Sequence, residues 1–119
     1  MPPIARPSAT VLDCTDPEEL AAFYGAVTGW EVTCRDDTFV FIGSGPVRLG
    51  FQRVAGYRAP GWPSGGAQAH LDFTVDDPEK AAAEVVALGA VRAEEQPGGG
   101  AWLVMIDPAG HPFCLAGED

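Results

Sequence analysis

Two stretches of the chain carry apolar residues at helical spacing, and each is flanked by shorter apolar runs of strand character. Leu20, Tyr24 and Val27 lie at i, i+4 and i+7, as do Ala81, Val85 and Leu88, so each stretch presents one apolar face. Both open in the same way. Asp16-Pro17-Glu18 recurs 61 residues later as Asp77-Pro78-Glu79. Aspartate as N-cap accepts a hydrogen bond from an N–H of the first turn that has no partner within the helix. Proline in the first helical position loses nothing, because its missing N–H would have had no partner there. Glutamate next to it suits the positive end of the helix. Gly29 and Gly89 follow, each able to take the left-handed conformation that closes a helix.

Apolar segments 9–15 and 70–76 precede the two helices as strands. Strands are also predicted over 30–35, 38–43 and 47–54, with turns at Asp36-Asp37 and at Gly43-Ser44-Gly45-Pro46. After the second helix the corresponding strands are 90–94, 101–106 and 112–116. Gln96-Pro97-Gly98-Gly99-Gly100 and Asp107-Pro108-Ala109-Gly110 separate them. Each half therefore reads strand, helix, strand, strand, strand. The class is α+β: two βαβββ modules, about 8–54 and 68–117, joined by a Gly- and Pro-rich linker over 55–67. A sheet with a helix on one face leaves the other face uncovered. Two such halves side by side are expected to form an open, cupped, barrel-like sheet with the helices outside and a cleft inside. Strand edges left by such halves pair readily with a second chain, so a homodimer is expected.

Composition narrows the classes. At 119 residues the chain has the length of one domain, and 46% hydrophobic residues suit a globular protein. No apolar stretch approaches the roughly 20 residues needed to cross a bilayer. The first ten residues hold three prolines and an arginine without an apolar core, which predicts no signal peptide and a cytoplasmic protein. Cys14, Cys34 and Cys114 are odd in number and form no CxxC pair, so all three are expected reduced, with Cys14 and Cys34 in the core. Seven basic against seventeen acidic side chains give a formal charge of −10. That charge repels phosphate backbones and argues against nucleic-acid binding. It suits a cationic ligand, although acidic surfaces commonly serve solubility alone.

The run His70-Leu71-Asp72-Phe73-Thr74-Val75-Asp76-Asp77-Pro78-Glu79, then Ala87-Leu88-Gly89-Ala90, then Trp102 through Asp107-Pro108-Ala109-Gly110-His111-Pro112-Phe113-Cys114-Leu115, resembles the glyoxalase-like branch of the vicinal oxygen chelate superfamily. Asp16 through Tyr24, Thr28-Gly29-Trp30-Glu31 and Phe51-Gln52-Arg53-Val54 agree with it in the first half. That superfamily includes glyoxalase I, extradiol dioxygenases, and fosfomycin- and bleomycin-resistance proteins. The resemblance implies a single glyoxalase-like domain over 1–119, with metal ligands (His, Gln or Glu) on the first and last strands of each module.

His70 matches such a ligand position, but its counterpart 61 residues earlier is Ala9, which binds nothing. Cys114 occupies the usual glutamate position on the last strand, and Gln52 is the nearest candidate in module one. A catalytic divalent site usually needs three protein ligands and an open position. Only His70 is convincing as a ligand, and Cys114 would shift preference toward softer ions. No cofactor is expected on this count, a divalent metal being the alternative. Asp72 lies two residues beyond His70 on the same strand face, and the two could form a general base without metal. Their blander reading is a polar pair bonded to backbone or to Arg48. Cys114 as a nucleophile would need an exposed, electropositive setting, whereas free cysteine is usually a small buried hydrophobe. His111, just after a turn, is expected exposed or turn-stabilising. Trp62, in Ala59-Pro60-Gly61-Trp62-Pro63, is expected at a cleft mouth or dimer seam, and Trp102 as a cleft wall. Tyr57 could contribute to a lid, while Phe23 and Tyr24 pack helix to sheet.

Three functions follow. The first is a small-molecule binder with a degenerate metal site, its ligand held by His70, Asp72, Gln52, Trp62, Trp102 and Cys114, as in sequestration of a drug or metabolite. The second is a divalent-metal lyase, isomerase or dioxygenase. The third is an accessory domain whose main surface meets a partner protein.

Overall fold

In the computed structural model, which describes residues 3, 8–45, 47–65 and 69–117, the chain divides into two units, Met1–Tyr57 and Arg58–Asp119. Pro46 of the second predicted turn, residues 66–68 where the linker and module two were expected to meet, and most of the first seven residues lie outside the described residues. The boundary after Tyr57 falls inside the predicted linker segment.

The first unit runs β1 (Thr10–Cys14), α1 (Pro17–Thr28), β2 (Val32–Arg35), β3 (Phe39–Ile42) and β4 (Leu49–Arg53). The second runs β5 (Leu71–Thr74), α2 (Pro78–Ala87), β6 (Val91–Arg92), β7 (Trp102–Ile106) and β8 (Pro112–Ala116). The sheets have the strand orders β1-β4-β3-β2 and β5-β8-β7-β6. In each, the first strand pairs in parallel with the last, and the remaining pairs are antiparallel. The α+β class and the two βαβββ modules expected from the sequence are therefore present.

The helix signals act as read. Asp16 accepts from the backbone N–H of Glu18 and Glu19, and Asp77 from those of Glu79 and Lys80. A further restraint joins each helix to its sheet. The first-turn glutamate takes a fork of two bonds from an arginine on the next strand, Arg35 to Glu18 and Arg92 to Glu79. The two C-termini differ. Gly29, at φ 77°, closes α1 through one bond from its N–H to the Gly25 carbonyl. Beyond α2, the N–H of Ala90 reaches the carbonyl of Val85 and that of Gly89 the carbonyl of Val86, the paired bonds of a Schellman ending.

Leu20 and Tyr24 are buried in the first core with Phe51, Ile42 and Val40, and the Tyr24 ring stacks on Phe51 at 5.6 Å. Phe23 and Tyr24 pack edge to face, as their helix-to-sheet role requires. The face of α2 is displaced from its predicted position: Ala82 and Val85 are buried, whereas Leu88 is 44% exposed. An i, i+3 pair suffices because α2 is two residues shorter than α1, and the chain is already turning out of the helix at Leu88. Cys34 corrects a second expectation. It is exposed, because β2 is an edge strand of which every residue is exposed. Cys14 is buried, and none of the three cysteines forms a disulfide. Among the described residues, no helix is long and apolar enough to cross a membrane.

Candidate functional site

The sheet of the second unit has two unlike faces, set by register. Phe113 and Leu115 pair with Leu71 and Phe73 on one side and with Met105 and Leu103 on the other. Side chains alternate along a strand, so these residues share one face of the sheet. Asp72, Cys114 and Val104 are register partners across β5, β8 and β7, and they share the opposite face. That face opens into a cavity of about 520 Å³ whose lining includes Trp62, His70, Asp72, Pro97, Trp102 and Cys114.

His70 lies immediately before β5 rather than opening it, and its Nε2 is 3.1 Å from Oδ1 of Asp72. Both side chains are well exposed, at 51% and 76%. Cys114 lies beneath them, buried with Val104 and Ala93 in an apolar cluster on which Trp62 and Ile106 pack. Burial pushes the Cys114 thiol above its ordinary value, and the charge of Asp72, to which the thiol donates a hydrogen bond, raises it further. A thiol held protonated in this way is a poor nucleophile, in keeping with the blander reading of Cys114. One donor atom from each of His70, Asp72 and Cys114 falls within 4.8 Å of the others.

Trp62 and Trp102 both line the cavity, Trp62 half-buried on the apolar cluster and Trp102 40% exposed at the start of β7. A residue passed over in the sequence holds this wall in place. The side-chain amide of Gln96 donates to the carbonyls of Ala93 and Val104 (2.9 and 2.8 Å), and its oxygen accepts from the N–H of Val104 (2.9 Å). The side chain thus satisfies β7 where a strand would otherwise continue, which is why β6 spans two residues instead of the predicted five. Beyond it, Gly98 lies against Trp102: a Cβ there would sit 2.6 Å from the Trp102 carbonyl oxygen and 2.7 Å from its ring. Gln96 reads as part of a Gln-Pro-Gly-Gly-Gly separator, and nothing local to it signals a bond to a residue eight positions on.

The other expected residues are placed as follows. Gln52 is exposed on β4 of the first unit, paired with Asp13 and Phe39. It stands in the register of Ala116, not of Cys114, whose counterpart is Gly50. By the same register Val11 corresponds to Asp72, and Ala9 precedes β1 as His70 precedes β5. The space above Gly50 is filled by the Phe41 ring, with the Arg48 guanidinium 4.5 Å from the ring centroid. His111 is half-buried and donates its backbone N–H to Asp107, whose buried carboxylate also accepts from Ala109, so it stabilises a turn as expected. Tyr57 is half-buried at the end of the first unit.

Known proteins give the context for this geometry. No curated protein matches the chain. Among solved structures it is similar to a glyoxalase/bleomycin resistance protein/dioxygenase family enzyme from Burkholderia phytofirmans PsJN, with 20% identity and a TM-score of 0.76 over 95% of this chain and 98% of that one. It is also similar to the trypanothione-dependent glyoxalase I of Leishmania major (23%, TM-score 0.67, 96% and 87% covered). Lactoylglutathione lyase of Agrobacterium tumefaciens is a third (24%, 0.63, 98% and 96%). At these identities the likeness speaks for the fold. A family model described as a glyoxalase-like domain matches residues 9–116. With nearly the whole chain so matched, and two βαβββ modules in place, the protein belongs to the glyoxalase-like domain family of the vicinal oxygen chelate superfamily.

Proposed function

We propose that the protein binds a small, flat organic molecule bearing a basic group in the cavity of the second unit. One observation carries the reading: a concave site walled by Trp62, Trp102 and Pro97, with an exposed carboxylate, Asp72, at its floor. Apolar walls with a few convergent polar groups are the usual make-up of a small-molecule pocket. Indole faces attract cations, and Asp72 supplies a counter-charge. The net charge of −10 favours the approach of a cation. Sequestration of a basic drug or metabolite is one form the function takes; the Burkholderia neighbour belongs to a family described by bleomycin resistance among other functions. The reading includes a single domain over 1–119, a cytoplasmic location suited to three cysteines without a disulfide, and a homodimer.

Tryptophan fluorescence is the direct test. An aromatic amine, or bleomycin itself, is expected to quench it saturably. Trp102→Ala should remove most of that response, and Asp72→Asn should weaken binding of the amine more than of its neutral isostere. Failure of every amine to perturb the spectrum, alongside a tightly bound protein partner, would replace this reading with that of an accessory domain. Sedimentation of the free protein tests the dimer.

A second reading has its own support, the clustering of donor atoms from His70, Asp72 and Cys114. It is a divalent-metal enzyme of lyase, isomerase or dioxygenase type, with His70 and Asp72 also available as a base. Substrate turnover that depends on a stoichiometric metal, both lost in His70→Ala, would favour it over simple binding.

A further inference from the structure

The metal ligands that the family resemblance implies are His, Gln or Glu drawn from both modules, a set suited to a hard or borderline ion. The residues present do not supply that set. In the first unit, register puts Ala9, Val11 and Gly50 where the second has His70, Asp72 and Cys114, and none of these three side chains carries a donor. In the second unit the donors are one imidazole nitrogen, one carboxylate oxygen and one sulfur. Magnesium and calcium sites are built from oxygen alone. Sulfur with imidazole selects zinc and its thiophilic neighbours, and zinc accepts a carboxylate as a third ligand.

We propose that His70, Asp72 and Cys114 form a thiophilic cation site of the zinc class, contained within the second unit and independent of Gln52. The geometry is close to what a shared ion needs. Asp72 and Cys114 face each other across the parallel β5–β8 pair, and His70 stands two residues before Asp72 on the same side. Donors around a tetrahedral zinc lie about 3.3–3.8 Å apart, given bonds of about 2.0–2.3 Å. The three donor atoms are already within 4.8 Å of one another, so side-chain adjustment of about an ångström closes the site. Its sulfur side is dry, since Cys114 is buried with Ala93 and Val104 under Trp62. Its imidazole and carboxylate sides face the cavity, which leaves room for a fourth ligand. As the sulfur–metal bond forms, the thiol proton passes to solvent and the oxidation states do not change.

The site takes the Asp72 carboxylate that the cavity proposal offers to an organic cation, so the two occupants compete, and its test needs no organic ligand. Cobalt(II) is the probe, titrated into the full-length protein after chelator treatment and dialysis. The expected result is one equivalent bound, with a sulfur-to-cobalt charge-transfer band in the near ultraviolet and visible bands of tetrahedral intensity. Cys114→Ser should remove the charge-transfer band. His70→Ala should weaken binding by at least about tenfold, since loss of groups one shell further out already costs that much. Cys34→Ser and Gln52→Ala should leave both spectrum and affinity unchanged. A wild-type protein without the charge-transfer band, a band that survives Cys114→Ser, or loss of cobalt in Gln52→Ala overturns the proposal. Should Cys114→Ser fail to fold by circular dichroism, His70→Ala decides, because its side chain is half exposed; wild-type affinity there overturns the site. Fluorescence quenching by the aromatic amine, measured in chelator, reports separately on the cavity. The ion site can therefore fail while ligand binding stands, and the reverse.

Discussion

Cys114 illustrates how one residue can change the chemistry of a shared scaffold. Its sulfur is packed among Ala93, Val104 and Trp62 on one side and bonded to Asp72 on the other. Both surroundings disfavour the thiolate, the first by removing water and the second by adding negative charge. Cys34 is open to solvent on an exposed edge strand. Alkylation of the native, metal-free protein should therefore modify Cys34 first. Cys114 should react far more slowly at neutral pH, with a rate that climbs only above the ordinary thiol range. Peptide mapping after timed iodoacetamide treatment checks the order; equal rates at both sites would contradict it. The linkage has a definite sign. Because the folded-state value is raised, the stability this thiol contributes is complete below the ordinary thiol value and is lost as pH rises through the raised one.

At the level of elements, the two units use the same caps and the same glutamate–arginine forks, yet they finish their sheets differently. In the second unit the Gln96 side chain takes over backbone bonds that a longer β6 would have made. That places Gly98 under Trp102 and Pro97 on the cavity wall. Gln96→Leu removes three bonds and strands the N–H of Val104, which should cost about 1–3 kcal/mol by the usual penalty for an unpaired buried group. Chemical denaturation measures this directly. The same variant should blunt the response of Trp102 to ligand even where the protein remains folded, because Gln96 positions the wall and does not itself line the cavity. A variant as stable and as responsive as the wild type would remove Gln96 from this role.

For the molecule as a whole, the notable property is the placement of chemistry in one unit. The two units share strand order and parallel first-to-last pairing, but only the second carries His, Asp and Cys at the corresponding register. The formal charge of −10 belongs to the entire chain and acts over distances of about a Debye length, about 8 Å at physiological salt. Affinity for a cationic ligand should therefore fall as sodium chloride is raised, chiefly through a slower association rate, while a neutral isostere should be almost indifferent. Stopped-flow fluorescence at two ionic strengths distinguishes the cases. Equal salt sensitivity for both compounds would confine the charge to a solubility role.

What could be read from the chain alone was whatever depends on neighbours close in sequence. Asp-Pro-Glu caps, helical spacing and glycine endings act over a few residues, so both helices and the two βαβββ modules were legible, as was the family from its motifs. His70 and Cys114 could be nominated through the ligand positions that the family resemblance implies, Asp72 through its two-residue spacing from His70, and the two cavity tryptophans through their loop and strand contexts. Tertiary structure alone decided which of them meet. Strand register brings Asp72 opposite Cys114 across 42 residues and aligns Gln52 with Ala116 instead. Register also exposed Cys34, since an edge strand is defined by the neighbour it lacks, and helix length exposed Leu88. The Gln96 bonds follow the same logic: they exist only once β7 is in place to receive them. Local signals specify elements because their energetics close within a turn, whereas a site assembled across strands depends on pairings that no short window of sequence contains.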